Sequence, residues 1–301
     1  MPQPIHHLRR WAVILPTITV ASWLAMLGAL FGTWYTSGEP RYVSEEETQS
    51  IAFISDIGAQ NLKPVFIVCS AVSMSTYIPS LVIYFFYVSP VRTSPWTSQG
   101  LNRGNSSPSI YSTNPVMSLP PRPLQQHSLL LHIGIPLLSI LFTVIGATNL
   151  ILLTIFDTAR YGKAHQLLLP TSIAAHIISC LILCGWSMVC LRQYRAQQQS
   201  QYGGIYSGDK FTLELYAPRI PISSASLVVK TVVVVFEIGL VILFAIMTWW
   251  LKTFDMAAVI GWVIVLLFAG YMLCLIVDLW VLGTAAKSEL DAMESKTIAH
   301  V

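Results

Sequence analysis

Charge is scarce in this chain. Of its 301 residues only 10% are Asp, Glu, Lys or Arg, against roughly 25% in an ordinary soluble domain. The net charge of +3 is small and scattered, which excludes the basic footprint of a nucleic-acid binder. Cysteine is also sparse. Cys69, Cys180, Cys184, Cys190 and Cys274 all fall inside or at the ends of apolar runs, so no disulfide framework is indicated. Cys180 and Cys184 share a helix face, and a zinc site would want more thiols or histidines beside them. They read as small packing residues rather than metal ligands. His6-His7 is an isolated pair. No metal and no cofactor is called for, and no part of the chain offers room for a separate soluble domain.

What the chain has instead is six long apolar runs, at about residues 11–34, 64–88, 129–155, 167–190, 226–250 and 257–283. Each is about 20 residues or more, enough for a helix to cross about 30 Å of hydrocarbon. Lipid offers no partner to a backbone N–H or C=O, so such segments must be helices. The expectation is an all-α protein: a polytopic membrane helix bundle of six transmembrane helices forming a single domain over residues 1–301. The first run is longer than the h-region of a secretory signal, typically ~7–15 residues, and reads as an uncleaved signal anchor.

Lys and Arg set the orientation. The amino terminus, the second and fourth connections and the tail carry eleven, and the other side carries five. The positive-inside rule then places both termini in the cytosol. Trp11, Trp34, Tyr35, Trp249, Trp250 and Trp280 stand near span ends, where about half are expected to anchor at the headgroups. Residues 89–128 are rich in Ser, Pro and Asn and have three arginines and no acid. They are expected to be a disordered cytosolic loop. The Asn105-Ser106-Ser107 sequon within them would go unused on the cytosolic side. Residues 191–225 form the fourth connection, ending in an extended approach to span five at Ala217-Pro218-Arg219-Ile220-Pro221. Residues 284–301 are expected to be a short, frayed cytosolic tail. Pro136 and Pro170 are read as lying near helix starts, where proline is tolerated.

Several polar residues occur where they are costly. Lys230, Glu237 and Asp278 lie inside spans, as do His132, Asn149 and His176. Lys230, Asp278 and His132 fall towards the cytosolic side, where they either form one polar cluster or snorkel separately to the interface. Glu237 and His176 each come out roughly 15 Å deep, near the midplane. Glu237 is expected to face the bundle interior and either pair with His176 or hold a proton.

Two segments on the outer side carry the most specific pattern. One is Phe53-Ile54-Ser55-Asp56-Ile57-Gly58-Ala59, with Pro64 and Phe66 opening span two. The other is Phe156-Asp157-Thr158-Ala159-Arg160-Tyr161, with His165 opening span four. Ser55 and Asp56 suit turns and helix caps, and Gly58 suits a tight turn. Asp157 and Arg160 are placed to pair across to the first outer loop, and His165 to hydrogen-bond Asp56 or Asp157. These six residues are read as a polar cap that either clamps the loops or contacts lipid headgroups.

With six spans and cytosolic termini, the two segments resemble the Frag/DRAM/Sfk family of six-pass membrane proteins, and the Ser/Pro-rich second loop resembles its fungal Sfk-type branch. Glu237 matches an acidic position of that family, whereas Val65 stands where the family often has an acid after the proline. The resemblance implies a regulator of membrane lipid organisation or phosphoinositide signalling at the plasma membrane, without catalysis of its own. Its partners would be membrane lipids and a membrane protein or lipid-kinase complex. The family also contains factors of GPI-anchor lipid remodelling in the ER and Golgi and autophagy modulators of the vacuole or lysosome. Those roles are the alternatives. Acyl transfer would need a nucleophile tied to a base, and His165 with Asp157 is the nearest approach to one.

Overall fold

The structure is a computed structural model. It describes the backbone of residues 3–88, 124–203 and 224–298, and the side chains of residues 11–86, 88, 133–193, 195–196 and 224–284. The elements are α1 (Gln3–Thr36), α2 (Ile54–Gly58), α3 (Lys63–Val88), α4 (Leu124–Ile155), α5 (Thr158–Gly203), α6 (Ser224–Ala245) and α7 (Phe254–Ile298). A π-helical turn, Ile246–Leu251, continues α6. All but α2 are long and apolar enough to cross a membrane, over Trp11–Thr36, Lys63–Phe86, Ile133–Ile155, Thr158–Gln193, Ser224–Leu251 and Phe254–Thr284. The protein is an all-α, integral membrane bundle.

The six long helices form a closed ring. Packing runs α1–α3–α4–α5–α6–α7, and α7 returns against α1. The α4–α5 seam is the densest and the α5–α6 seam the sparsest. Hydroxyl groups sew two of these seams. Between α1 and α3, Thr19 and Thr76 hydroxyls meet at 2.7 Å and the Ser22 hydroxyl donates to the Cys69 carbonyl at 3.1 Å. Between α4 and α5, Ser179 meets Ser139 at 3.0 Å and Thr143 at 2.6 Å. In lipid, small hydroxyl residues let helices approach closely while keeping their polar atoms satisfied. Gly146 serves the same seam by emptiness, since a Cβ there would stand 2.4 Å from Nδ1 of His176. The ring is closed by Trp23 of α1, whose indole N–H donates to the Val265 carbonyl of α7 at 3.1 Å. The same indole ring meets Phe268 edge to face at 5.5 Å.

Helix ends depart from expectation. Helix α5 runs on to Gly203, so Arg192, Arg195 and the glutamine run are helical rather than loop. Helix α7 continues to Ile298, so the described part of the tail is a helical extension. Pro136 and Pro170 lie well inside α4 and α5, because both helices begin earlier than the apolar runs do. Pro16 and Pro79 are likewise internal. Hydropathy marks where lipid begins and cannot see a helix continuing into water. Trp34 is buried in the core, while Trp11, Tyr35, Trp249, Trp250 and Trp280 are exposed on the bundle surface. Residues 89–123 and 217–221 lie outside the described residues, and with them the sequon, the extended approach to span five and most of the expected disordered loop, whose last residues, 124–128, are instead helical in α4.

Candidate functional site: a capped cavity at one end of the bundle

The α2 end of the bundle, which the charge count assigns to the outer side, is closed by the first loop and α2. Three carboxylates staple this cap. Asp56 accepts hydrogen bonds from the Ser44 hydroxyl at 2.7 Å, the Thr158 hydroxyl at 3.1 Å and the Phe53 N–H at 3.3 Å. It thus ties the first loop and α2 to the start of α5. Asp157 is the N-cap of α5, accepting the Arg160 N–H at 2.7 Å. It also binds the Lys63 ammonium of α3 at 2.5 Å. Burial works against the charge of Asp157, but the Lys63 bond, the Arg160 N–H and both positive charges outweigh it. Together they hold the carboxyl below the usual carboxylate range. Asp255, in the first turn of α7, accepts from the Ser50 N–H at 2.6 Å, the Ser50 hydroxyl at 2.7 Å and the Ile51 N–H at 2.9 Å. Glu45 is pushed the other way, up from the usual carboxylate range, by burial and by the charge of Asp56.

Several cap residues act differently from the sequence reading. Gly58 does not make a tight turn. It lies in α2, and a Cβ there would stand 2.3 Å from the Phe66 ring, so its smallness lets α2 seat on α3. Arg160 contributes its backbone N–H, and its exposed side chain forms no ion pair among the described residues. The cross-loop pair is Asp157 with Lys63. His165 bonds neither aspartate. Its Nδ1 lies 3.0 Å from the Phe156 carbonyl. Backbone at the α4–α5 turn, left open by the break in α5 at Tyr161 (φ −127°, ψ 41°), reaches the ring first.

Beneath the cap lie two adjoining cavities. The outer vestibule, about 320 Å³, is lined by Glu46, Asp56, His165, Thr248 and Lys252 among others, and reaches the α5–α6 seam at Pro170 and Val241. The inner chamber, about 130 Å³, is apolar and is walled by Trp23, Met26, Phe66, Leu150 and Ile264. Phe53, Ser55, His165, Leu169, Ile173 and Phe244 line both. Phe53 and Phe244 meet edge to face at 6.1 Å in that shared wall. The π turn and the left-handed Lys252 (φ 54°) shape the rim, and both features mark functional sites more often than chance. A charged compartment adjoining an apolar one has the polarity of a lipid.

The polar residues deeper in the bundle sort into two groups. Lys230 and Asp278 form a buried ion pair. The ammonium also lies 5.0 Å from the centre of the Tyr84 ring and 6.0 Å from that of Tyr271. The Tyr84 hydroxyl is bonded in turn to Ser187 at 2.8 Å. The side chain of His132 lies outside the described residues. Glu237 does face inward, at 6% exposure. No hydrogen bond joins it to His176, whose Nδ1 lies 2.9 Å from the Ser172 carbonyl and whose ring packs edge-on against Phe268 at 5.3 Å. The turn of α5 that carries His176 faces Gly146 and α7 rather than α6. Asn149 is partly buried on α4.

Asp255, Lys63, Tyr84 and Tyr271 were not singled out from sequence. Asp255 carried a usable signal, a lone acid at the opening of a span. The tyrosines carried none, since buried aromatics look alike in a sequence. No hydroxyl or thiol is hydrogen-bonded to His165 or His176 among the described residues, and no group of three or more His, Cys, Asp or Glu gathers there to hold a metal.

Comparison with known proteins agrees with this architecture. Protein SFK1 of Saccharomyces cerevisiae is 28% identical over 177 residues, which cover 57% of this chain and 48% of that protein. The match thus spans about half the length of that curated relative. No solved structure matches. Residues 11–282, from the first turn of α1 in the membrane almost to the end of the last span, match the family described as Frag1/DRAM/Sfk1/Cwh43P N-terminal domain, and the chain belongs to that family.

Proposed function

We propose that this protein is a non-catalytic regulator of membrane lipid organisation, acting at the plasma membrane and through it on phosphoinositide signalling. One observation carries the reading: a charged vestibule and an apolar chamber adjoin across a shared wall that includes residues of α5 and α6. Such a cavity can hold a lipid headgroup and part of a chain without cleaving anything. The cap carboxylates are each committed to two or more donors and serve as structural ties rather than acid–base groups. Its partners on this reading are membrane lipids, with a membrane protein or a lipid-kinase complex at the cytosolic face.

The test is complementation of a null cell by Gly261→Leu, which adds a side chain at the chamber wall towards Phe244, whose nearest atom is 3.5 Å from a Cβ at that position. The expected result is normal level and location but no restoration of the leaflet distribution of phospholipids. A null cell with unaltered leaflet lipids and phosphoinositides refutes the regulatory role. Full rescue by Gly261→Leu refutes the cavity as its seat. A fluorescent fusion confined to the Golgi or vacuole would move the role to remodelling or autophagy.

A further inference from the structure

The ring of His165 fixes what the cavity asks of its occupant. His165 is 4% exposed and lies in the wall shared by vestibule and chamber. Its Nδ1 faces the Phe156 carbonyl at 3.0 Å. A carbonyl only accepts, so Nδ1 carries the proton, and in the neutral ring Nε2 is a bare acceptor. Nε2 has no partner and is closed to water. A buried acceptor in that position is complemented by a hydrogen-bond donor sitting where headgroup meets chain. Diacyl phospholipids have none there, because their ester oxygens only accept.

The two cavities narrow the class further. The chamber, about 130 Å³, is close in size to an apolar cavity of about 150 Å³ that takes one benzene. It receives the end of one hydrocarbon chain and not two side by side. At the other end, Glu46 and Lys252 line the vestibule, and neither is in an ion pair among the described residues. One free acid and one free base lining the same vestibule complement a zwitterion, since Asp56 there is committed to three donors. A sterol, with a single hydroxyl and no charge, uses neither.

Building on the lipid-holding reading above, we infer that the cavity binds a single-chain phospholipid with a free hydroxyl at its polar–apolar boundary, donated to Nε2 of His165. The chain end occupies the chamber, and the phosphate and amine lie against Lys252 and Glu46. Nε2 is closed to water in this structure, so the hydroxyl reaches it only when the shared wall opens. Both lysoglycerophospholipids and sphingoid phosphates have this chemistry.

The experiment uses the full chain in nanodiscs of diacyl phosphatidylcholine and photoreactive lipids with a diazirine at the chain end. Lysophosphatidylcholine should label chamber residues such as Leu150 and Ile264. Its 2-O-methyl ether, which keeps everything but the O–H, should label at least about tenfold less. That comparison needs no variant. His165→Phe, checked for wild-type thermal stability, should erase the difference between the two probes. Competition by unlabelled sphingosine phosphate against lysophosphatidylcholine names the source, and victory by either supports the assignment. Equal labelling by the O-methyl ether or by a diacyl probe overturns the inference while leaving the lipid-holding cavity intact. Preferential labelling by a sterol probe also overturns it. Absence of chamber labelling by every lipid overturns both this inference and the reading on which it rests.

Discussion

Asp278→Ala removes one half of the only charge pair the described residues place inside the membrane-spanning bundle away from the cap. Lys230 is 1% exposed and Asp278 3% exposed, so the surviving ammonium cannot snorkel to water without dragging α6. Truncating one partner of a fully buried pair costs about 3–5 kcal/mol, because the other charge stays desolvated. The Tyr84 face at 5.0 Å is present in wild type and variant alike and cancels in the difference. The expectation is a loss of about 3–5 kcal/mol, or about 6–20 °C in Tm on the scale of a large domain. The decisive variant is the double replacement Lys230→Met with Asp278→Leu, which leaves no charge to desolvate. It should recover most of the loss and stand close to wild type, the usual fate of a buried pair exchanged for apolar residues. The assay is thermal unfolding of purified protein in detergent, with the single variants Lys230→Met and Asp278→Leu completing the double-mutant cycle. If Asp278→Ala melts with the wild type, or the double variant is worse than either single one, the pair is not what holds α6 against α7.

Acid should loosen the cap: the Asp157 carboxyl is held below its usual range, so the stability from its bond to Lys63 is complete above about pH 4 and is lost as pH falls through the depressed value. The melting temperature should fall through that acid window, and Asp157→Asn should melt low above it and lose this part of the pH dependence. Gly146→Ala should destabilise by about 1–3 kcal/mol, since its Cβ would stand 2.4 Å from the His176 ring, and His176→Ala should rescue it in the same melting assay. Tags at the two termini should both be reached only after permeabilisation, whereas a cysteine at exposed Glu47 should be labelled on intact cells; ends on opposite sides would refute the orientation.

The bundle was legible because hydrocarbon leaves the backbone so little choice. Six apolar runs sufficed for six helices, and the two motif segments lie together at the α2 end of the bundle. Other features were hidden for definite reasons. The Lys63–Asp157 tie joins residues far apart in the chain, and nothing local to either distinguishes it from Arg160, the equally basic neighbour that stays exposed. Depth along a helix can be counted, so Lys230 and Asp278 were placed at one level, where they meet. Azimuth cannot be counted when every face of a helix is apolar. For that reason Glu237 and His176 share a depth yet do not bond. Gly58 suits a tight turn in the sequence, and only the rings of Phe66 and His176 show what Gly58 and Gly146 leave room for.

The return of α7 to α1 has a consequence for biosynthesis. A ribosome delivers these helices in order, and α1 leaves the translocon with Trp23 still lacking the Val265 carbonyl to which its N–H belongs. That donor must wait in the bilayer, or on a membrane chaperone, until the final helix is inserted. Chains released before α7 would display an unfinished face of α1 and become natural targets for membrane quality control.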